Sequence, residues 1–282
     1  MNKKIWLLDL SNIAYRSLYG TKLKTKAGNP SGHVYGFVNT MKRINTLEYE
    51  LVFALDEKPE RKLRINPQYK ANRHKKDFNP VPDVRRMARL LNGTSIWCKG
   101  EEADDVIASF VENNRNREIT IVSSDADLFQ LINRQNKTRQ FNPGSSQFID
   151  SEDLFKKYKL TKFDRVALWK ALFGDSGDNV KPPLARLRKN DLIEAIERCN
   201  GTPGGFMREL ELSGIAEKTF TKIKTATPFF EAGLRMNYGL VSLKRDVDYM
   251  QKKHNGNLLW LCELLRRFEC NSLINEDLRR IT

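Results

Sequence analysis

Lys3-Lys4-Ile5-Trp6-Leu7-Leu8-Asp9-Leu10 runs apolar from Ile5 and meets its first acid at Asp9, with Ser11 and Asn12 close behind. A run without polar alternation is the pattern of a strand buried on both faces, as in a parallel sheet covered by helices. In open α/β sheets ligands collect in the crevice outside the carboxyl ends of the strands, which makes Asp9 a functional candidate. The structural alternative is that Asp9 or Asn12 caps a helix from Ile13 to Tyr19.

The same pattern recurs along the chain. Leu51 to Leu55 is apolar and ends at Asp56, and Glu118 to Val122 is followed by Ser123-Ser124-Asp125-Ala126-Asp127. Ser95 to Lys99 reads as a further strand and feeds Gly100-Glu101-Glu102-Ala103-Asp104-Asp105-Val106-Ile107-Ala108, an acidic first turn on an apolar helix. Glu102 and Asp105 are three apart and share a face with Asp104 beside them, and carboxylates so grouped call for a hard divalent cation between them. The alternative is a solvated first turn favoured by the helix dipole. Thr138 to Asn142 and Ser146 to Asp150 predict a hairpin around Pro143-Gly144. The fold class expected is α/β, a mainly parallel central sheet flanked by helices over residues 1–150, with an α-rich region over 151–282. In that second region Lys162 to Phe173, Asp191 to Cys199 and Asn257 to Phe268 read as helices, and Gly201 to Gly205 as a loop. His33 is expected at a helix start or on the surface, and Met250 and Trp260 in the core or covering it.

The chain of 282 residues is 40% hydrophobic, enough for a substantial core, and carries 49 Lys and Arg against 35 Asp and Glu. A net charge of +14 favours a polyanionic partner. With the acids gathered at strand ends, the remaining body is more basic still, the charge pattern of a metal-dependent nuclease. No long apolar stretch or basic-then-apolar leader is present, so neither secretion nor membrane insertion is expected. Cys98, Cys199, Cys262 and Cys270 form no CxxC pair, which argues against a zinc site or disulfide framework and fits a reducing cytoplasm. A phosphate loop of the GxxxxGK type is absent, so nucleotide hydrolysis is not supported.

From Lys58 to Lys76 come eight cations, Lys58, Arg61, Lys62, Arg64, Lys70, Arg73, Lys75 and Lys76, against the single acid Glu60. A charge run is usually a solvated face. This one follows a strand-end Asp and holds Tyr69-Lys70-Ala71-Asn72-Arg73, which favours phosphate contact. Downstream, Gly174-Asp175-Ser176-Gly177-Asp178-Asn179 closes a helix with two acids. Alone it would read as an ordinary turn.

Asp9, Asp56, YKANR, GEEADDVIA, SSDADL and GDSGDN, in this order between Ile5 and Val180, resemble the 5′ nuclease family of flap endonucleases and 5′ to 3′ exonucleases, in its phage and bacterial branch. The resemblance implies that Asp9, Asp56, Glu102, Asp104, Asp105, Asp125, Asp127, Asp175 and Asp178 line a site for two Mg²⁺ or Mn²⁺ ions. Asp175 and one of Glu102, Asp104 and Asp105 would act through water. It implies Lys70, Arg73, Asp9 and Asp56 as catalytic residues, with Lys70 and Arg73 holding the scissile phosphate. The nucleic-acid contacts would come from Arg61, Lys62, Arg64, Tyr69, Lys75 and Lys76 in an arch or clamp over about 58–92. The expected reaction is two-metal-ion hydrolysis of DNA at 5′ ends, flaps or nicks, leaving 5′-phosphate and 3′-hydroxyl products, with RNA:DNA hybrids as a further substrate during primer removal. The enzyme expected is a phage-encoded monomer in the host bacterial cytoplasm, with a single-strand-binding protein and a polymerase as replication partners.

Two departures stand out. The arginine that the family usually carries eight residues before its YK lysine is Lys62 here, with Arg61 beside it. The family's Pro-Gly-Val-x-Gly-Ile-Gly hairpin is replaced by Val180-Lys181-Pro182-Pro183-Leu184-Ala185-Arg186-Leu187-Arg188-Lys189. An atypical helix-hairpin-helix equivalent over about 162–200 is therefore expected to grip phosphate directly through Lys181, Arg186, Arg188 and Lys189. The rival readings are a clamp that has lost catalysis, against which the intact acids argue, and a PIN-type ribonuclease, against which the length and α-rich second half argue.

Overall fold

The computed structural model of the chain describes residues 4–44, 49–73, 77–133, 135, 137–212 and 215–282. Seven strands form one sheet: β1 (Lys4–Asp9), β2 (Tyr49–Ala54), β3 (Asn92–Trp97), β4 (Ile119–Val122), β5 (Thr138–Asn142), β6 (Gln147–Phe148) and β7 (Met250–Asn255). The order is β6-β5-β4-β1-β2-β3-β7, parallel from β5 through β3 with an antiparallel strand on each edge. The mixed α/β class read from the sequence is the class observed.

Helices of the first part are α1 (Leu10–Gly20), α2 (Gly32–Arg43), α3 (Glu60–Ile65), α4 (Val81–Ala88) and α5 (Ala103–Asn113). Then follow α6 (Ser151–Tyr158), α7 (Val166–Phe173), α8 (Lys189–Arg198), α9 (Pro203–Leu212), α10 (Glu217–Thr225), α11 (Thr227–Val241), α12 (Leu258–Arg267) and α13 (Glu276–Ile281). Successive residues of a strand face opposite sides of the sheet, so the uninterrupted β1 run supplies two cores. Trp6 and Leu8 pack with Phe37, Met41 and Met87 on one face, while Ile5 and Leu7 pack with Val106 and Ile107 of α5 on the other. A third cluster joins α6 to α11 and includes Tyr69.

The last stretch of chain returns to the sheet. β7 pairs antiparallel with β3, and Leu261, Leu264 and Leu265 of α12 enter the same core as Trp6. This last stretch thus adds an edge strand to the sheet and contributes α12 and α13 to the first core. Met-Gln-Lys-Lys-His-Asn carries no apolar alternation because β7 is an exposed edge strand. Met250 and Trp260 are exposed, which takes both out of the core. His33 does open α2 but is fully buried, with Nε2 3.0 Å from Asp83 Oδ2, and the segment read as a loop at Gly201 to Gly205 already enters α9 at Pro203. No helix among the described residues is long and apolar enough to cross a membrane.

Candidate active site

β1 is flanked by β2 on one side and β4 on the other, so the winding of the sheet reverses beside it. The registers Asp9↔Ala54 and Leu8↔Val122 bring the carboxyl ends of these three strands level. The crevice at such a switch point is the general ligand position of open α/β sheets. Here it opens as a cleft of about 1810 Å³ lined by Asp9, Asp56, Glu102, Asp104 and Asp125, with Tyr69, Lys70 and Arg73 also in its wall.

Asp9 and Asp56 are fixed by local structure. Asp9 caps α1, accepting from the Asn12 amide at 3.0 Å and from Ser123 Oγ at 3.0 Å. Asp56 Oδ1 accepts from the Ala103 amide at 2.9 Å, which ties the end of β2 to the first turn of α5. Asn12 Oδ1 accepts from the amide and hydroxyl of Ser124, each at 2.9 Å, locking the β4 exit against α1. Burial, aided by the neighbouring Asp56 and Asp125 charges, raises the Asp9 carboxyl to about 7. Burial, with Asp125 and Asp9, also raises Asp104 well above the ordinary range. These carboxylates repel one another and lack an ion-pair partner among the described residues, a donor set that fits a hard divalent cation.

Glu102 and Asp105 have different surroundings. Burial works to raise the Glu102 carboxyl, but the Lys62 and Lys70 ammoniums outweigh it and hold the group at about 2. Lys62 Nζ lies 2.8 Å from Glu102 Oε2 and 3.1 Å from Asp105 Oδ2, and Lys70 Nζ bonds Glu102 Oε1. Asp105, fully buried, also accepts from Arg61 at 2.9 Å and from the Lys244 amide at 2.8 Å. Its oxygens are thereby committed to cations and backbone, and Asp105 does not line the cleft.

A second acid group adjoins the first. The oxygens of Asp127, Asp175 and Asp178 lie within 4.8 Å of one another, the reach of a single ion. Gly174, at φ 80°, ends α7 where an added Cβ would meet the Val180 carbonyl oxygen at 2.6 Å. The chain there folds back through paired 2.8 Å backbone bonds between Asp175 and Val180. This turn docks on YKANR: the Lys70 amide donates to the Asp178 carbonyl at 3.0 Å, and Asn72 Nδ2 to the Ser176 carbonyl at 2.6 Å. Asp178 receives Arg73 at 2.7 Å.

Residues 4–159 match the family model described as 5′-3′ exonuclease, N-terminal resolvase-like domain, more than half of the chain. The chain belongs to the 5′-3′ exonuclease family. Kinship of this kind makes it a nuclease. It is 26% identical to a 5′-3′ exonuclease of Aquifex aeolicus, across 97% of this chain and 95% of that protein. It is 28% identical to the thermostable DNA polymerase I of Thermus caldophilus across 97% of this chain, but spans only 33% of that polymerase. In fold, it is similar to bacteriophage T5 5′-exonuclease with bound zinc, at a TM-score of 0.66 and 17% identity over 98% of this chain and 95% of that one. The catalytic core of Rad2 in complex with DNA substrate gives 0.61 and 16% over 100% and 93%.

Within the exonuclease fold, three residues expected to touch nucleic acid are engaged by carboxylates of the protein itself. Lys62 is buried against Glu102 and Asp105, Tyr69 is buried with its hydroxyl 2.9 Å from Glu102 Oε2, and Arg61 pairs with Glu101 and Asp105. Buried carboxylates need these partners more than the solvent does. Arg64, Arg73, Lys181, Arg186, Arg188 and Lys189 are exposed, while Lys75 and Lys76 lie outside the described residues. Sequence reasoning missed Ser123 and Arg85, whose guanidinium bonds the Asp56 carbonyl, and Lys170, which bridges Asp127 and Asp175.

Proposed function

We propose that the chain is a divalent-metal-dependent 5′ nuclease that hydrolyses DNA at 5′ ends, flaps or nicks, with two Mg²⁺ or Mn²⁺ ions as cofactors. The observation that carries this is the convergence of Asp9, Asp56, Glu102, Asp104 and Asp125 on one cleft at the switch point of the sheet, with Lys70 beside them. In this reading Asp9, Asp56, Asp104 and Asp125 hold one ion, and Asp127, Asp175 and Asp178 the other. Glu102 acts through water because both its oxygens already accept from Lys62, Tyr69 and Lys70. Asp105 is a structural anchor. When bound, the ions would stabilise charge on the phosphate and lower the pKa of water.

The remaining work falls to this chain's own cations. Lys70 and Arg73 reach into the cleft and orient the scissile phosphate, where a single well-placed donor is worth roughly 2.7 to 4 kcal/mol. The segment over about 58–92 arches over the cleft and guides a single-stranded 5′ end, with Arg64, Lys75 and Lys76 as its phosphate contacts. Lys181, Arg186, Arg188 and Lys189 grip duplex backbone in place of a glycine hairpin. Kinship to DNA polymerase I supports a role in replication, removing flaps and RNA primers, so RNA:DNA hybrids belong among the substrates. A phage origin, action in the bacterial cytoplasm as a monomer, and work beside a polymerase and a single-strand-binding protein complete the reading.

A panel of end-labelled substrates tests it: 5′ flap, nicked duplex, blunt duplex, single strand and RNA:DNA hybrid, each with Mg²⁺, Mn²⁺ or EDTA. Metal-dependent release of 5′-phosphorylated products near the junction is expected. Tight binding with no cutting in any metal would make the chain a structure-specific clamp instead.

A further inference from the structure

α7 is apolar on the side that enters the core, with Ala167, Leu168, Ala171 and Leu172 buried, yet Lys170 sits within it. Its ammonium lies 2.6 Å from Asp175 Oδ2 and also bonds Asp127 Oδ1, with the side chain only 11% exposed. No ion pair to Asp9, Asp104 or Asp125 is found among the described residues. One acid group is thus left with its repulsion, while the other carries a cation of its own.

A second observation marks the same place as a ligand site. The Tyr158 hydroxyl is buried and has no hydrogen-bond partner among the described residues, and Tyr158 lines the cavity of about 810 Å³ that holds Lys170, Asp127, Asp175 and Asp178. An orphaned hydroxyl on a residue that lines a carboxylate-bearing cavity suits a hydrated cation, whose water it can bond.

We propose that Lys170 is a resident counter-ion of the Asp127, Asp175 and Asp178 group, which a divalent ion must displace in order to bind there. The two metal positions therefore load in order, the one at Asp9, Asp56, Asp104 and Asp125 first. This rests on the two-ion reading above. An ammonium and a divalent ion cannot share the same pair of carboxylate oxygens, so the affinity of the second position is reduced by the free energy of the Lys170 contacts. Lys170 acts here as a positioning residue, setting when the site fills.

Titration calorimetry of Mn²⁺ into the metal-free full chain, without DNA, tests this in the wild type, Lys170→Met and Lys170→Arg. Methionine keeps the volume and helix preference of the site while removing the charge. The wild type should show a second step at least tenfold weaker than the first. Lys170→Met should tighten that second step about tenfold or more and leave the first within twofold, and Lys170→Arg should restore the wild-type separation. If Lys170→Met does not fold, as judged by circular dichroism, Lys170→Gln gives the same reading. Two steps that stay unchanged on loss of the charge would overturn the counter-ion role and leave the two-ion reading standing. A single step in every protein would sink both.

Discussion

The Tyr69 hydroxyl lies 2.8 Å from Asp178 Oδ2 and bridges to Glu102 Oε2 at 2.9 Å, so one side chain from YKANR links the acids of α5 to those of the turn after α7. A hydroxyl has a single proton to donate, so the two carboxylates share it. Tyr69→Phe removes the link without changing the ring. Loss of a partner that orients metal-binding carboxylates typically costs about 10–100-fold in metal affinity or activity. That loss in Mn²⁺ affinity, measured by calorimetry with the melting curve as a control, is the expected outcome. An unchanged affinity would make the bridge incidental.

Lys62 is a buried ammonium between Glu102 and Asp105. Burial opposes its charge, but the surrounding acids overcome this and raise the group. Removing one partner of a buried ion pair leaves an uncompensated charge and costs about 3–5 kcal/mol. Lys62→Met should lose stability on that scale in urea titration, whereas Arg64→Ala, on the exposed side of α3, should change the midpoint little.

The metal-free protein should also lose stability as pH rises. Asp9 titrates at about 7 in the fold against 3.8 as its ordinary value, chiefly through burial. A carboxyl with a raised folded value contributes stability that is fully present below the ordinary value and lost as pH climbs through the folded one. Melting temperatures in EDTA should therefore fall between about pH 4 and pH 7, and Asp9→Asn should flatten the slope. Mg²⁺ should restore stability at the upper end, where the ionised carboxylate can bind it.

Lys181, Arg186 and Arg188 are exposed on the loop that precedes α8. Reversing all three to Glu should weaken duplex binding and flatten the dependence of log K on log salt, since each lost phosphate contact removes about 0.9 from the slope. A variant with the wild-type slope would place the duplex elsewhere.

Much of the site could be read from the sequence because its acids follow apolar strands. Leu7 and Leu8 before Asp9, or Phe53 and Ala54 before Leu55 and Asp56, announce a buried parallel strand and its carboxyl end at once. The polar edge strand β7 gave no such pattern, since one exposed edge needs no apolar alternation. The direction of Asp105 was also hidden. Spacing of three put it on a face with Glu102, but the choice between cleft and core depended on Arg61, Lys62 and the Lys244 amide arriving from distant parts of the chain. Lys62 and Tyr69 read as surface residues for the same reason: their partners are carboxylates that only the tertiary fold supplies. Lys170 left one signal, a lone cation in the apolar Val-Ala-Leu-Trp-Lys-Ala-Leu-Phe helix.

Asp125 stands where the two acid groups meet, lining both the main cleft and the adjoining cavity. The most direct test of the account compares wild type and Asp125→Asn on a 5′ flap substrate in Mg²⁺, with affinity for the same DNA measured in Ca²⁺. The variant should lose cleavage by at least about a thousandfold, on the order of 4 kcal/mol in the barrier, while binding DNA within a few fold of wild type. Cleavage by the variant at the wild-type rate would contradict the metal centre.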